Sequence, residues 1–159
     1  MNRAHVITVS DRASAGKMKD ESGPALAERL KRDHFEVSGP EVVPDEQARI
    51  TDAIAAAVVS GVDVVITTGG TGVGPRDVTP QATSMLLDYE VPGLAEAMRR
   101  AGASSTPMSM LSRGMAGVRG RTLVINVPGS VRGATESLDT VLPVLTHAIR
   151  LLQGDTKHQ

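Results

Sequence analysis

The sequence predicts an α/β domain of three layers, with helices on both faces of a mostly parallel sheet. Short runs rich in Val, Ile and Thr, AHVITV at 4–9, VDVVITT at 62–68 and TLVINV at 122–127, have the composition of strands buried on both faces. Segments of helical spacing alternate with these runs, which is the pattern of parallel strands joined by crossover helices. A length of 159 residues fits one domain, read as residues 1–154 followed by a short tail at 155–159.

After the first strand, SGPALAERLKR at 22–32 reads as a helix with Ser22 as its cap and Leu26 and Leu30 on one face. The second strand spans Phe35–Val43 and is interrupted at Gly39-Pro40. In EQARITDAIAAAVVS, Ile50, Ile54, Ala57 and Val58 follow helical spacing. Beyond the third strand, Thr79 suits a cap and Pro80 a first helical position, with Ala82, Met85, Leu86 and Tyr89 on one face. Another helix starts at Pro92-Gly93 and turns Leu94, Ala97, Met98 and Ala101 inward. Segment 103–120 is rich in Ser, Gly and Met without a clear period, and reads as loop with short strands around Met108–Leu111 and Val118. From Val131 to Leu152 the pattern is helical, with a break near Asp139–Pro143 and a stop at Gly154.

Composition excludes several functions. Seventeen basic and eighteen acidic residues leave a formal charge of −1, so no global field draws in nucleic acid. Phe35 and Tyr89 are too few aromatics for a base-stacking platform. With no cysteine, thiolate metal sites and a cysteine nucleophile are ruled out. The N-terminus lacks a basic stretch leading into a long apolar run, and AIAAAVV at 53–59 is far below the roughly 20 residues of a membrane span. The expectation is a cytoplasmic protein with no membrane and no nucleic-acid partner. His5, His34, His147 and His158 show no paired metal-ligand spacing, and no G-x-S-x-G elbow is present.

Loops leaving the carboxyl ends of parallel strands share one edge of the sheet, where ligands bind. Here they read SDRASAG (10–16), PDEQ (44–47), GGTGVGPRD (69–77) and PGSVRG (128–133). Four polar loops at one edge, three of them carrying glycine, argue for a phosphate-bearing ligand. Glycines let backbone N–H groups approach anionic oxygens. The lysine of GxxxxGK[ST] is missing and GxGxxG spacing does not fit residues 69–77, so neither familiar phosphate-loop signature applies.

An aspartate beside a phosphate site repels it unless a cation intervenes, so Asp77 and Asp45 suggest bound Mg²⁺. Structural alternatives stand beside this: Asp45 precedes a helix and suits an N-cap, and Asp77 suits a pair with Arg76 or an Asx-turn. Asp11-Arg12 suits a local ion pair, Asp20 a solvated charge, and Ser10, Ser14 and Ser130 either turns or ligand contacts.

Taken together, SDRASAG, VPDEQARI (43–50), TTGGTGVGPRDVTPQAT (67–83), VPGLAEAMR (91–99), MLSRGMAGVRG (110–120) and LVINVPGS (123–130) resemble the molybdopterin-binding MogA/MoaB family, which includes the G domain of gephyrin. The resemblance spans nearly the whole chain. It implies that family's fold and transfer of AMP from ATP to the terminal phosphate of molybdopterin, with release of pyrophosphate. The MoaB branch leaves open a binding or scaffold protein without turnover. The family's motif aspartates map onto Asp77 and Asp45, as catalytic and metal-holding residues. Its binding pocket maps onto Gly69, Gly70, Thr71 and Gly72, onto Ser112 and Arg113 of LSR, and onto Pro128, Gly129 and Ser130. From the residues themselves, Arg12, Arg76 and Arg113 are candidates to offset substrate charge. Mg²⁺, ATP as co-substrate, a homotrimer and handover of product to a molybdenum insertase complete what is implied. Val131-Arg132-Gly133 departs from many relatives by placing a bulky apolar residue and a cation beside the pocket.

Overall fold

Six strands form one sheet in the computed structural model, which describes residues 1–157. In chain order they are β1 (Arg3–Val9), β2 (Glu36–Val43), β3 (Val64–Thr68), β4 (Tyr89–Glu90), β5 (Ala116–Arg119) and β6 (Thr122–Val127). The spatial order is β2-β1-β3-β6-β5-β4. Pairs β2–β1, β1–β3 and β3–β6 are parallel, whereas β6–β5 and β5–β4 are antiparallel. The sheet is therefore mostly parallel, with an antiparallel extension at one side.

Every residue of β3 and β6 is buried because helices cover both faces. Helices α2 (Ser22–Arg32), α5 (Pro92–Ala103) and α6 (Val131–Leu152) lie on one face, with Leu26, Leu30, Leu138, Leu145 and Ile149 packed against Val6, Ile66 and Ile125. On the other face, α3 (Gln47–Val59) and α4 (Thr79–Ser84) bring Ile50, Ile54 and Ala82 onto Ile7, Val65 and Val124. Strand alternation assigns Val6 and Ile7 to opposite layers. Each Leu or Ile so buried is worth about 1.5–3 kcal/mol of transfer free energy. A single turn, α1 (Asp11–Ser14), leaves the end of β1.

Several local expectations change. Strand β2 runs through Gly39-Pro40, a cis peptide, and its partners on β1 shift register between His5 and Ile7. Residues Pro107–Leu111 form a 3-10 turn instead of a strand, with Thr106 Oγ1 accepting from Met108 N–H at 3.2 Å; Val118 lies in β5 as expected. Helix α6 is unbroken across Asp139–Pro143. Pro143 points outward, and buried Leu138, Val141, Leu142 and Leu145 hold both halves of the helix on the sheet despite the lost backbone bond.

Helix α5 buries Ala95 and Met98 and leaves Ala97 exposed. Met85 and Tyr89 are exposed because α4 ends at Ser84, too soon to extend its apolar stripe. Ser22 is buried and makes no cap bond; the first-turn N–H of Gly23 donates to Asp20 Oδ1 at 3.0 Å. Thr79 does not cap α4 and donates its hydroxyl to the Gly69 carbonyl at 2.9 Å. Past α6, Asp155 pairs with Arg150 at 2.9 Å. His158 and the end of the expected tail lie outside the described residues. Among these, no helix is long and apolar enough to cross a membrane.

Candidate functional site

The loops after β1, β2, β3 and β6 meet at one edge and enclose a cavity of about 500 Å³. Ser10, Asp45, Gly69, Gly70, Asp77, Gly129 and Ser130 all line it. A neighbouring cavity of about 390 Å³ is lined by Thr71, Gly72, Ser112, Pro128 and Ser130, together with Ala95, Met98 and Leu111. Ser130 borders both, and Gly129 packs on Gly69. The two cavities thus share a wall.

Glycine is required in that wall by geometry. Gly69 and Gly70 have φ of 101° and 68°, in the left-handed region. A Cβ on Gly69 would run into the Val9 carbonyl, and one on Gly70 into the Thr79 hydroxyl. The loop is pinned by Thr79 N–H to the Gly70 carbonyl (3.1 Å) and by Arg113 N–H to the Thr71 carbonyl (2.7 Å).

Asp45 does not cap α3, whose start has no side-chain cap bond. Its Oδ2 accepts instead from the Asp11 N–H at 2.8 Å, while Asp45 N–H returns a bond to Asp11 Oδ1 at 3.0 Å. Burial pushes the Asp45 carboxyl above the ordinary carboxylate range; the Asp11 N–H opposes the rise, and the negative charges of Asp11 and Asp77 add to it. Asp77 does brace its own loop, Oδ2 accepting from Gly74 N–H at 2.9 Å, but it does not pair with Arg76. Each of these two aspartates keeps one oxygen without a protein hydrogen bond among the described residues.

The arginines take other places. Arg76 pairs bidentately with Asp11, Nε to Oδ2 and Nη2 to Oδ1 both at 3.0 Å, so Asp11 has no pair with Arg12. That contact holds the Asp11 carboxyl below its usual range and keeps Arg76 more firmly charged. Arg113 donates to the carbonyls of Gly72 (2.8 Å) and Asp77 (2.6 Å), spending its fork on the loop. Arg12 and Ser14 are exposed on α1, and neither they nor Arg76 line either cavity. Ser10 accepts from Ala13 N–H at 3.1 Å and Ser130 from Gly133 N–H at 3.1 Å, so both cap helices at the cavity edge. Ser112 accepts from Gly114 N–H at 3.3 Å.

Other wall residues carry weak sequence signals. Asp20, half-buried in the wall of the polar cavity, accepts from Thr8 Oγ1 at 2.8 Å; its spacing three residues before Gly23 is the cue. Buried Asn126 donates to Thr67 and Thr83 hydroxyls at 2.9 and 3.0 Å, and stands two residues before Pro128. Ser105 donates to Glu136 at 2.8 Å across the apolar cavity, a pairing no local pattern announces. Val131 borders the polar cavity and Arg132 the apolar one.

Among the described residues no cluster of three or more His, Cys, Asp or Glu could hold a metal unaided. Two carboxylates with one open oxygen each fit Mg²⁺, which keeps water and takes phosphate oxygens to complete its shell.

Comparison with known proteins places this arrangement. Residues 5–147 match the family model described as "Probable molybdopterin binding domain". The fold superposes with a TM-score of 0.91 on the molybdopterin biosynthesis enzyme MoaB of Thermus thermophilus, at 52% identity over 97% of this chain and 98% of that one. A molybdenum cofactor biosynthesis bifunctional protein of Synechococcus elongatus is 42% identical over 95% of this chain and 47% of its own length. The chain thus spans about half of that relative. The molybdopterin adenylyltransferase of Helicobacter pylori (strain J99) is 35% identical over 94% of this chain and 87% of its own. On the match of residues 5–147 and this full-length superposition, the chain belongs to the family of molybdopterin-binding domains.

Proposed function

We propose that this chain is a molybdopterin adenylyltransferase of molybdenum cofactor biosynthesis, using ATP and Mg²⁺. The observation that carries the proposal is the pair of aspartates, Asp45 and Asp77, each with one open oxygen, in a polar cavity that shares a wall with an apolar one. In the reaction an oxygen of the pterin's terminal phosphate forms a bond to the α-phosphorus of ATP, and the bond from that phosphorus to the β-phosphate bridging oxygen breaks. Pyrophosphate leaves with the electron pair. No side-chain nucleophile is needed.

The chain's contribution is to position phosphates and meet their charge. Asp45 and Asp77 would hold Mg²⁺, which when bound neutralises phosphate charge. Gly69, Gly70 and Gly129 line the cavity where the phosphates would lie, and the close packing that their missing side chains allow sets the shape of that wall. Ser10 and Ser130 sit at the cavity edge as caps, their hydroxyls donating to no acceptor among the described residues. Thr71, Gly72, Ser112 and Pro128, with Met98 and Leu111, form the wall for the pterin ring system. Arg113 serves by fixing the glycine loop, and Arg12 is the exposed cation nearest in sequence to the cap of α1.

Self-association as a homotrimer is part of the proposal, supported by Met110, exposed on the 3-10 turn outside both cavities. Handover to an insertase and a cytoplasmic setting are further parts of the proposal; the first is supported by a bifunctional relative whose chain joins this domain to further sequence. The test is incubation with ATP, Mg²⁺ and molybdopterin. Adenylylated pterin and stoichiometric pyrophosphate are expected; tight pterin binding without product would replace the enzyme with a binding protein.

A further inference from the structure

Asp11 is absorbed neither by a cavity wall nor by helix capping, yet its carboxylate and N–H bond to two other loops at this edge. Its Oδ1 accepts from Asp45 N–H and from Arg76 Nη2, and its Oδ2 from Arg76 Nε. Its own N–H donates to Asp45 Oδ2. Three loops, following β1, β2 and β3, are thereby tied at one carboxylate. We propose that Asp11 is a positioning residue that fixes Asp45 directly and Asp77 through its chain neighbour Arg76. This rests on the adenylyltransferase reading for its functional consequence.

Stability does not account for the clamp. The Arg76–Asp11 pair is well exposed, with side-chain exposures of 62% and 40%, and pairs of that kind are worth about 0–1 kcal/mol. What it does do is geometric. Three carboxylates, Asp11, Asp45 and Asp77, crowd one edge, and repulsion among them would spread the loops that carry them. Arg76 opposes this from the glycine loop, while Lys19, Asp20 and Glu21 line the same cavity from the segment before α2. The reciprocal bonds between Asp11 and Asp45 consume Asp45 Oδ2, so Asp45 offers one oxygen in a set direction. Both Asp11 oxygens are occupied, which makes Asp11 a holder of ligands and not one itself.

The test compares the wild-type chain with Asp11→Asn, Arg76→Lys and Arg76→Met. The measurements are Mn²⁺–ATP affinity by electron paramagnetic resonance, molybdopterin affinity by fluorescence, thermal midpoint and steady-state turnover. Asp11→Asn and Arg76→Met are expected to weaken Mn²⁺–ATP binding and lower kcat by about 10- to 100-fold, the range of ligand-orienting residues. Pterin affinity should be unchanged and the midpoint should move by no more than about 4 °C. Arg76→Lys keeps the charge without the fork and should resemble Arg76→Met.

Wild-type behaviour of Asp11→Asn, or full rescue by Arg76→Lys, would overturn the proposal, as would losses that track a large fall in midpoint. If the wild type binds Mn²⁺–ATP but makes no product, the adenylyltransferase reading fails and the Mn²⁺ measurement alone decides: weakening in both Asp11→Asn and Arg76→Met upholds the clamp, and unchanged binding refutes it. A wild type without Mn²⁺–ATP binding refutes both.

Discussion

The cavity bounded by Asp20, Asp45 and Asp77 and the one bounded by Ala95, Met98 and Leu111 meet at Ser130, but their walls are made differently. In the first, carboxylates are held by backbone N–H groups: Asp11 for Asp45, Gly74 for Asp77, Gly23 for Asp20. In the second, α5 and the 3-10 turn supply the apolar side chains Ala95, Met98, Met108 and Leu111, while α6 adds Arg132, Ser137 and one carboxylate, Glu136, which is engaged by Ser105. One side is built to organise charge and the other to seat an apolar or planar body. A substrate pair that is charged at one end and ring-shaped at the other would place its reacting atoms near the shared wall.

The sharpest way to separate the two halves is to damage each alone. Asp77→Asn keeps an acceptor for Gly74 N–H but removes the charge, and turnover should fall by on the order of 10²–10³ with pterin affinity intact. Ser105→Trp places bulk over the apolar cavity; the KM for pterin should rise by about tenfold or more while Mg²⁺–ATP binding holds. Steady-state kinetics with each substrate varied in turn reads both. If the two variants lost affinity for the same substrate, the division of labour would be wrong.

The same contrast explains what could be read from the residues. The polar cavity follows strands whose Val/Ile/Thr runs are unmistakable, and parallel pairing alone sends their loops to one edge, so Asp45, Asp77, Gly69 and Ser130 were legible as neighbours. Their partners were not. Sequence reasoning pairs Asp11 with Arg12 and Arg76 with Asp77, whereas Asp11 meets Arg76 across 65 positions because β1 and β3 are adjacent in the sheet. Asp45 before a helix resembles a cap, yet a donor 34 positions away claims it. The apolar cavity depends on segment 103–120, where a five-residue 3-10 turn and a four-residue strand are too short to impose a period. Arg113 illustrates the same limit: a cation beside a phosphate loop invites a ligand role, and only the fold reveals carbonyls of that loop within reach of its fork.

Asp45 offers a smaller effect on activity and one of opposite sign on stability. Its carboxyl holds a proton to higher pH in the folded chain than in the unfolded one, because burial disfavours the charge. Between the ordinary value near 3.8 and the raised folded value, the folded state carries the extra proton, so stability falls as pH rises and the deficit persists at pH 7. Asp45→Asn should therefore lower turnover by about 10- to 100-fold while leaving the thermal midpoint at pH 7 equal to or above that of the parent. Below the ordinary aspartate value the two midpoints should converge. In the parent chain, the acid limb of kcat/KM should lie above the ordinary aspartate range, since on the proposed reading the charged form is the one that would hold a cation. Destabilisation of Asp45→Asn at pH 7 would mean that the carboxylate serves the fold.

The smallest effect is expected at the shared wall itself. Ser130 caps the 22-residue helix α6 by accepting from Gly133 N–H, and the residue borders both cavities where they meet. Ser130→Ala removes the acceptor, which costs about 1 kcal/mol and, for a chain of this size, about 2–4 °C in midpoint. Ser130→Asp restores an acceptor for the cap but adds a negative charge beside the phosphates, whereas Ser130→Gly loses little helix stability and offers no hydroxyl. A wall that acts by capping alone predicts that kcat/KM follows the midpoint across Ala and Gly. A wall that also donates to phosphate predicts equal losses of kcat/KM in Ala and Gly despite their different midpoints, with Asp the poorest of the three.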